Sequence, residues 1–222
     1  MSFAWSFTSL GMFRTCPKQY EEVRVLKNFV EVRDEKALWG DRVHKAIEAA
    51  LRDGTPLPYG MDVYEPVVAK FRTLRGTLHV ENQLAITEGF QPCEWFDKQT
   101  WCRGIIDALW IDGVVAKAVD WKTGKFKPNS DQLVLFALLV SHHYPEVQEV
   151  RTMFMWLKTG QSGKVAKFTR DQIPKMWEPF MIDVQRLRNC MDTSTWVPKT
   201  SGLCSQWCPV VTCQYNGKRR NW

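Results

Sequence analysis

Residues 104–125 read GIIDALWIDGVVAKAVDWKTGK, and this segment gives the clearest structural signal in the sequence. Two apolar runs flank Asp112-Gly113, which is the strongest short-range signal for a β-hairpin. If Asp112 and Gly113 form the turn, pairing outward from it places Asp107 opposite Ala118. The stretch therefore predicts two long antiparallel strands joined by a tight turn.

Two aspartates and a lysine lie on one face of this predicted hairpin. Asp107, Asp120 and Lys122 share that face because side chains in a strand alternate between its two sides. Diagonal neighbours on one face have Cα atoms about 7–8 Å apart, so both carboxylates can lean onto one divalent cation. A slip of one residue in the register would instead place the two aspartates on opposite faces.

Apart from these three charged residues, apolar side chains occupy both faces of the same two strands. Lys117 is the exception on the opposite face. Strands that are apolar on both sides are covered on both sides, so the charged residues lie in or beside a core and need a counter-charge. A structural salt bridge between Lys122 and Asp120 or Asp107 is one explanation, and structural ion pairs are common. A metal ion held by the two aspartates is the other.

The composition is that of an ordinary globular chain, with 222 residues, 45% of them hydrophobic and 24% charged. No apolar run approaches the length of a membrane span, so we expect no membrane association. The first residues, MSFAWSFTSLGMF, lack a basic segment before their apolar part, so we expect no signal peptide and a cytoplasmic location. The net charge of +6 suits a nucleic-acid partner, although many unrelated proteins share such an excess.

Hydrophobic periodicity predicts the order of the secondary-structure elements. Helical spacing occurs at residues 17–30, 36–52, 64–74 and 129–144. Strand composition occurs at residues 77–87, 100–111, 114–121, 148–158 and 164–168. A last helix begins near Thr169, which is spaced from Gln172 as a capping box. This order predicts an α/β fold with a central mixed β-sheet flanked by helices, and not a doubly wound parallel sheet.

The segments GIIDALW and AVDWKTGK resemble the GxxD…DxK core of the PD-(D/E)XK nucleases, in the RecB-like branch that includes phage exonucleases and the CRISPR-adaptation nucleases. Three further segments resemble elements of that branch in the same order. FTSLGMFRTCPKQY is similar to its N-terminal Cys-Pro segment, LWGDRVHKAIE to its helix with a single His, and DQLVLFALL to its Gln-x-x-x-Tyr helix. The likeness spans about residues 7–213 and implies a restriction-endonuclease-like core.

The resemblance implies a catalytic metal site. Asp107 and Asp120 would bind the metal, with His44 and the backbone carbonyl of Trp121 as further ligands. Hard oxygen ligands together with one imidazole suit Mg²⁺ or Mn²⁺.

Other residues acquire catalytic or supporting roles from the same resemblance. Lys122 would stand next to the attacking water, and Gln132 would help to hold the substrate or the geometry of the site. Glu81 stands where some members of the branch place another acidic residue. The tyrosine of the family pattern is Phe136 here, so its ring is expected to pack without the hydroxyl group.

Four cysteines form a separate set, Cys16, Cys204, Cys208 and Cys213, which resembles the iron–sulfur closure of the branch. Four thiolates suit a [4Fe–4S] cluster or Zn²⁺, and either would tie the two termini together as a clasp. The last spacing is Cys-x3-Cys-x4-Cys, whereas the iron–sulfur members have Cys-x2-Cys-x5-Cys. Iron–sulfur, zinc and unmetallated thiols therefore all stay open at this point.

The resemblance implies one nuclease domain over residues 1–222. Within it, residues 77–145 would form the catalytic core, and residues 1–25 and 198–222 the cysteine clasp.

The function expected from these features is a metal-dependent DNA exonuclease that acts on single- or double-stranded ends, in phage-type recombination or DNA processing. If the chain is phage-encoded, the location is the cytoplasm of the host cell, and a recombination protein is the partner this role implies. An end-trimming nuclease of CRISPR adaptation and a non-catalytic DNA-binding protein on the same fold are the alternatives. Enzymes of this kind can enclose DNA as rings, so an oligomer is compatible with the resemblance.

Overall fold

The computed structural model describes residues 3–31, 33–125 and 131–218, and these fall into two compact units. The sheet unit is built mainly from Asp34–Trp177. The terminal unit combines Trp5–Arg33 with residues 178–218. The expectation of one nuclease domain over the whole chain stays a prediction.

The secondary-structure elements of the described residues follow in chain order. The α-helices are α1 (Phe7–Thr15), α2 (Pro17–Tyr20), α3 (Glu35–Asp53), α4 (Glu65–Arg72), α5 (Asp131–His143) and α6 (Ile173–Thr193). The strands are β1 (Thr77–Ile86), β2 (Pro92–Cys93), β3 (Cys102–Asp112), β4 (Val115–Lys122), β5 (Glu149–Trp156), β6 (Gln161–Ser162) and β7 (Ala166–Thr169). A π-helical turn at Glu21–Val25 and 3₁₀ turns at Asp62–Tyr64, Arg170–Gln172 and Gly202–Cys204 complete the set.

The strands form one mixed sheet in the order β2-β1-β3-β4-β5-β6, with β7 also pairing with β5. All pairs are antiparallel except β4 and β5, which are parallel and are connected through α5. A parallel pair needs such a crossover because the chain must return to the same end of the sheet. The predicted α/β class with a central mixed sheet flanked by helices is confirmed.

Most of the predicted elements are present, with shifted ends. The five predicted strands correspond to β1, β3, β4, β5 and β7, and the helix predicted at 36–52 is α3. The first two residues of the helix predicted at 129–144 lie outside the described residues, as do the ends of both predicted clasp segments. The periodicity did not indicate α1, nor β2 and β6, which are two residues long and too short to show a period.

The turn of the hairpin differs from the prediction. Asp112 pairs with Val115, so Gly113 and Val114 form the turn in place of Asp112-Gly113. Gly113 has a φ of 58°, which suits the first central position of a type II′ turn, where glycine is favoured. The shift moves the turn by one residue along the chain and leaves the alternation of faces unchanged. As a consequence, the continued register places Asp107 opposite Asp120 and not opposite Ala118.

Helices α3 and α4 cover one face of the sheet. The cluster they form with it includes Val43, Ile47 and Phe71 from the helices and Trp110 and Trp121 from the strands. These apolar side chains follow the spacing of three to four residues that defines one face of a helix. Helix α3 begins where the Asp34 side chain accepts a hydrogen bond from the N–H of Ala37 at 2.9 Å, and it ends before Gly54.

Helix α5 packs against β1, β3, β4 and β5 and is buried over most of its circumference. Arg170 caps its C-terminal end by donating to the carbonyl oxygens of Ser141 and Tyr144 and to that of Val147 in the following loop. Burial inside the protein explains the apolar sequence of α5. Among the described residues, no helix combines the length and the hydrophobicity that crossing a membrane requires.

The terminal unit is held together by contacts between segments that lie far apart in the sequence. The ring of Trp5 stacks on that of Phe180 with centroids 6.0 Å apart. Arg14 in α1 forms an ion pair with Asp183 in α6 at 2.7 Å.

The close packing of α5 on β3 generates a stability prediction. A Cβ atom at Gly104 would lie 2.9 Å from Cδ1 of Leu139, closer than packed carbon atoms approach. We expect Gly104→Ala to lower the free energy of unfolding by about 1 kcal/mol or more, as overpacking does in a filled core. Denaturant unfolding measures the change. Gly89→Ala is the control, because Gly89 is exposed and its nearest atom is 3.8 Å away; equal stability of the two variants would contradict the packing argument.

Candidate active site

The carboxylate of Asp107 lies where the β3–β4 pairing stops. Regular pairing extends to Ala108 opposite Val119, and beyond it the N–H of Trp121 donates to Oδ2 of Asp107 at 2.7 Å. The side chain of Asp107 thus replaces a main-chain partner and is buried, with 9% of its surface exposed. This bond joins the middle of β3 to the end of β4, and it leaves Oδ1 of Asp107 free to face another group.

His44 reaches Asp107 from α3. Its Nδ1 atom lies 3.5 Å from Oδ1 of Asp107. Gly40 precedes His44 by four residues and so lies on the same side of the helix. A Cβ atom at Gly40 would be 3.1 Å from Oγ1 of Thr123, just after β4, so the small residue lets α3 approach the end of that strand.

Glu81 completes a group of three possible metal ligands. One ligand atom each from His44, Glu81 and Asp107 lie within 4.8 Å of one another. The register of β1 on both sides of Glu81 places it opposite Asp107.

The backbone at Glu81 is in the left-handed region, with a φ of 46°. Such a conformation costs about 1–3 kcal/mol for a residue other than glycine. It also interrupts the alternation of β1, because His79 and Asn82 both contact Tyr144 although they are three residues apart. The strained residue therefore re-aims its side chain at the site, and strain of this kind is concentrated at functional positions.

Asp120, Lys122 and Gln132 form a second, connected group. Nζ of Lys122 lies 2.5 Å from Oδ2 of Asp120 and donates to Oε1 of Gln132 at 3.0 Å. Nε2 of Gln132 donates to Oδ1 of Asp120 at 2.6 Å. The amide of Gln132 is therefore oriented by a carboxylate on one side and an ammonium group on the other.

The ammonium group of Lys122 also lies over the ring of Phe154 at 4.8 Å from its centroid. A cation over an aromatic face is attracted by the negative charge density of that face. Phe154 belongs to β5 and was not expected from the sequence, since no local pattern distinguishes it from a core residue. Phe136 is buried in α5 and packs near Gly104, in line with a ring that packs without a hydroxyl group.

Burial and a neighbouring carboxylate raise the pKa of two acidic side chains in the site. Burial and the neighbouring charge of Asp107 raise the pKa of Glu81 to about 7. Burial and Asp107 also raise the pKa of Asp120, although Lys122 opposes them. Burial disfavours the charged form of His44, but its hydrogen bond and charge interaction with Asp107 outweigh this effect and raise its pKa. The site is thus rich in negative charge and favours a cation.

The donor set fits a hard divalent metal ion. Ligand atoms around one Mg²⁺ at 2.0–2.1 Å are separated by about 3–4 Å, so the group of His44, Glu81 and Asp107 needs only small movements to converge on one ion. Asp120 is not part of this group, because its carboxylate is held by Lys122 and Gln132. Its Oδ2 atom is buried and forms no hydrogen bond of regular geometry with the described residues. Metal ligation by Asp120 and by the carbonyl of Trp121 stays a prediction.

The four cysteines of the predicted clasp line one pocket of the terminal unit. They are Cys16, Cys204, Cys208 and Cys213. The backbone N–H groups of Lys199 and Ser201 donate to the sulfurs of Cys16 and Cys204, each at 3.4 Å. Burial, and to a smaller extent the three other sulfurs, raise the pKa of the Cys208 thiol. Four cysteines around one pocket, two of them with N–H donors to sulfur, are compatible with a thiolate-bound metal, and the cluster itself stays a prediction.

Comparison with known proteins supports the fold. No protein-family model matches the sequence, and no curated protein matches it. The chain is similar to a solved structure from Eubacterium rectale described as a "Putative exonuclease", with a TM-score of 0.55 and 12% identity over 98% of this chain and 88% of that one. It is also similar to the structure named SSO0001, with a TM-score of 0.49 and 13% identity over 97% of this chain and 88% of that one, which is too weak to argue from. At these identities the first likeness shows a shared fold.

The raised pKa of Glu81 generates a prediction for the metal-free protein. Folding favours the protonated side chain, so the contribution of Glu81 to stability is complete below its ordinary pKa of 4.5 and is lost as the pH rises through about 7. Glu81→Gln does not titrate, so its stability relative to the parent protein should rise between pH 4.5 and 8. We expect a rise of about 1 kcal/mol, reduced from the full shift because the side chain is only half-buried.

Unfolding in the presence of a chelator at several pH values measures this difference. Glu146→Gln is the control, since Glu146 is exposed and lies outside the site. A difference between Glu81→Gln and the parent protein that does not change with pH would contradict the electrostatic description of the site.

Proposed function

We propose that the protein is a metal-dependent deoxyribonuclease of the PD-(D/E)XK superfamily, in its RecB-like branch, and that it acts as an exonuclease on DNA ends. The observation that carries the proposal is that two groups of residues meet where the pairing of β3 with β4 stops. These groups are the possible metal ligands His44, Glu81 and Asp107, and Lys122 held by Asp120 and Gln132. The residues of the GxxD…DxK pattern thus lie together with a histidine from a distant helix.

The metal would be Mg²⁺ or Mn²⁺, bound by Asp107, His44 and Glu81, with Asp120 and the carbonyl of Trp121 as further proposed ligands. When bound, such an ion polarises the scissile phosphate and lowers the pKa of a water molecule. The hydrogen bond from Trp121 keeps the Asp107 carboxylate in place, since only Oδ1 is left to turn toward the ion.

Lys122 would act on the water and on the phosphate. In phosphodiester hydrolysis, water forms a new P–O bond while the bond from phosphorus to the leaving sugar oxygen breaks. An ammonium group next to the reacting phosphate can orient the water and stabilise the negative charge that develops. Gln132 would hold the side chains of Lys122 and Asp120 in fixed positions, because its amide forms a hydrogen bond with each of them.

The structural salt bridge considered from the sequence is present between Asp120 and Lys122. It does not exclude catalysis, because Asp120, which holds the ammonium group, lies opposite Asp107 when the register of β3 and β4 is continued. A purely structural pair would not explain the strained Glu81 or the approach of His44.

DNA ends are the proposed substrate, in single- or double-stranded form, and phage-type recombination or DNA processing in the cytoplasm is the proposed role. A recombination protein would be the partner in that role, and an oligomer that encloses DNA is compatible with it. A CRISPR-adaptation enzyme that trims ends beside integration proteins would use the same chemistry. A non-catalytic DNA-binding protein is the alternative of another class, and the intact Asp107, Asp120 and Lys122 favour an enzyme over it.

We propose in addition that Cys16, Cys204, Cys208 and Cys213 bind a [4Fe–4S] cluster, with Zn²⁺ as the alternative ligand of the same thiolates. The support is their arrangement around one pocket together with the two N–H donors to sulfur. Bound metal would stabilise the terminal unit, because a site of this kind is not formed in the unfolded chain.

Cleavage of labelled DNA tests the enzymatic proposal. Purified protein with Mg²⁺ or Mn²⁺ is expected to degrade linear single- or double-stranded DNA, labelled at the 5′ or the 3′ end to reveal the polarity. Asp120→Asn and Lys122→Ala should each reduce the rate at least about 100-fold, as expected for loss of a group that stabilises charge in the transition state. Circular dichroism of each variant verifies the fold.

Lys117→Ala is the matched control for Lys122→Ala. Lys117 lies on the same strand but pairs with Asp112 near the turn, at 3.7 Å. Its loss should leave the cleavage rate unchanged. Absence of any cleavage by the parent protein would refute the enzyme, and full activity of Lys122→Ala would refute the assignment of the site.

Metal analysis of anaerobically purified protein tests the cysteine proposal. We expect iron and acid-labile sulfide, with the visible absorption of thiolate-bound iron, and loss of both in Cys208→Ser. Cys190→Ser is the control, because Cys190 lies in the same unit but does not line the pocket. Protein that contains zinc but no iron would support Zn²⁺ as the metal bound by these thiolates. Protein free of both metals would refute the proposal.

A further inference from the structure

A large groove adjoins the candidate active site. It encloses about 1120 Å³, more than the roughly 300–1,000 Å³ of sites that hold small ligands. Thr123 and Gly124, the two residues that follow Lys122 in the chain, form one part of its wall. The first turns of α3 form another, which places the groove next to the strand end that carries the possible catalytic residues.

The groove is positively charged on balance. Lys36, Arg42 and Lys158 line it against one acidic residue, Glu35. All three basic side chains are exposed, and neither Lys36 nor Lys158 forms an ion pair with a described residue. Unpaired cations along a groove attract a polyanion and give the binding a strong dependence on salt.

An aromatic platform lies in the same wall. The guanidinium group of Arg42 lies over the ring of Trp39, 5.4 Å from its centroid. Trp39 is partly buried and packs against the core cluster beneath α3 and α4, so its position is supported from behind. A tryptophan ring and an arginine guanidinium group are both surfaces on which an unpaired base can lie.

We propose that this groove binds a single-stranded segment of the DNA substrate, with an unpaired base on the Trp39–Arg42 platform and the backbone phosphates near Lys36 and Lys158. The inference rests on the proposed nuclease function and assigns the substrate class to that site. In a duplex, the faces of the bases are covered by their neighbours, so a stacking platform can be used only by an unpaired or frayed strand. The groove would hold this strand while an adjacent phosphate lies at Lys122.

Binding measured without cleavage tests the proposal. Fluorescence anisotropy of an oligothymidylate is recorded in the presence of a chelator with the 222-residue chain. Trp39→Ala should weaken binding of this single strand by about tenfold, as loss of one base–aromatic stack does. Trp39→Phe, which keeps a stacking face and the packing, should restore most of the affinity. Binding to covalently closed duplex DNA should change little.

The basic residues are tested through the salt dependence of the same binding. Lys158→Ala should reduce the slope of log affinity against log salt by about 0.7, the value for one phosphate contact to a single strand. Lys167→Ala is the matched control, because Lys167 is an exposed lysine on β7 that does not line the groove. Equal effects of the two lysine variants, or equal losses of single-strand and duplex binding in Trp39→Ala, would overturn the proposal.

A photochemical experiment tests the groove without any substitution in α3. An oligonucleotide containing 5-iodouracil, irradiated in complex with the unmodified protein, should form its crosslink within residues 35–45, as identified by mass spectrometry. Crosslinks confined to residues that do not line the groove would refute the proposal. If the protein cleaves DNA but fails these binding tests, the proposed nuclease function stands and only the groove proposal is refuted. If it neither binds nor cleaves DNA, both proposals are refuted.

Discussion

The candidate active site depends on one buried hydrogen bond, from the N–H of Trp121 to the carboxylate of Asp107. It is made at the point where main-chain pairing between β3 and β4 ends. A buried N–H group left without a partner costs about 1–3 kcal/mol, so the carboxylate is needed by the sheet itself. Oδ2 of Asp107 accepts this hydrogen bond, and Oδ1 of the same carboxylate faces Nδ1 of His44.

Around this bond the protein accumulates negative charge that the fold alone does not neutralise. Glu81 is held in a strained backbone conformation, and its pKa and that of Asp120 are raised because the carboxylates lie close together and are removed from water. Lys122 and His44 offset only part of this charge. Buried acidic groups whose pKa is shifted by neighbouring charges are typical of sites that bind a cation or perform acid–base chemistry.

The structural and the catalytic interpretations of the Asp120–Lys122 pair are compatible. Gln132 connects both side chains, and Phe154 supports the ammonium group from below. Three contacts, one each from β4, α5 and β5, hold the ammonium group of Lys122 in one place, and such preorganisation is what stabilising a transition state requires. The groove lined by Trp39 and Arg42 begins at the residues that follow β4. The proposed DNA-binding surface and the proposed catalytic residues therefore lie at the same end of β4.

The sequence was enough to predict five of the seven described strands, the long helices and the shared face of Asp107 and Asp120, because these follow from local periodicity and from the alternation of side chains. It also indicated His44, Glu81 and Gln132, through their order in a family pattern. The sequence did not predict the position of the turn, which is formed by Gly113 and Val114. A turn at Asp112-Gly113 and a turn one residue later both place Gly113 at a central position, so the sequence pattern does not distinguish them. Only the tertiary structure decided that Glu81 is strained toward Asp107, that Gly40 brings α3 close to Thr123, and that Phe154 and Trp39 adjoin the site. The reason is physical: periodicity describes the geometry of neighbours along the chain, whereas these distances depend on how separate elements pack.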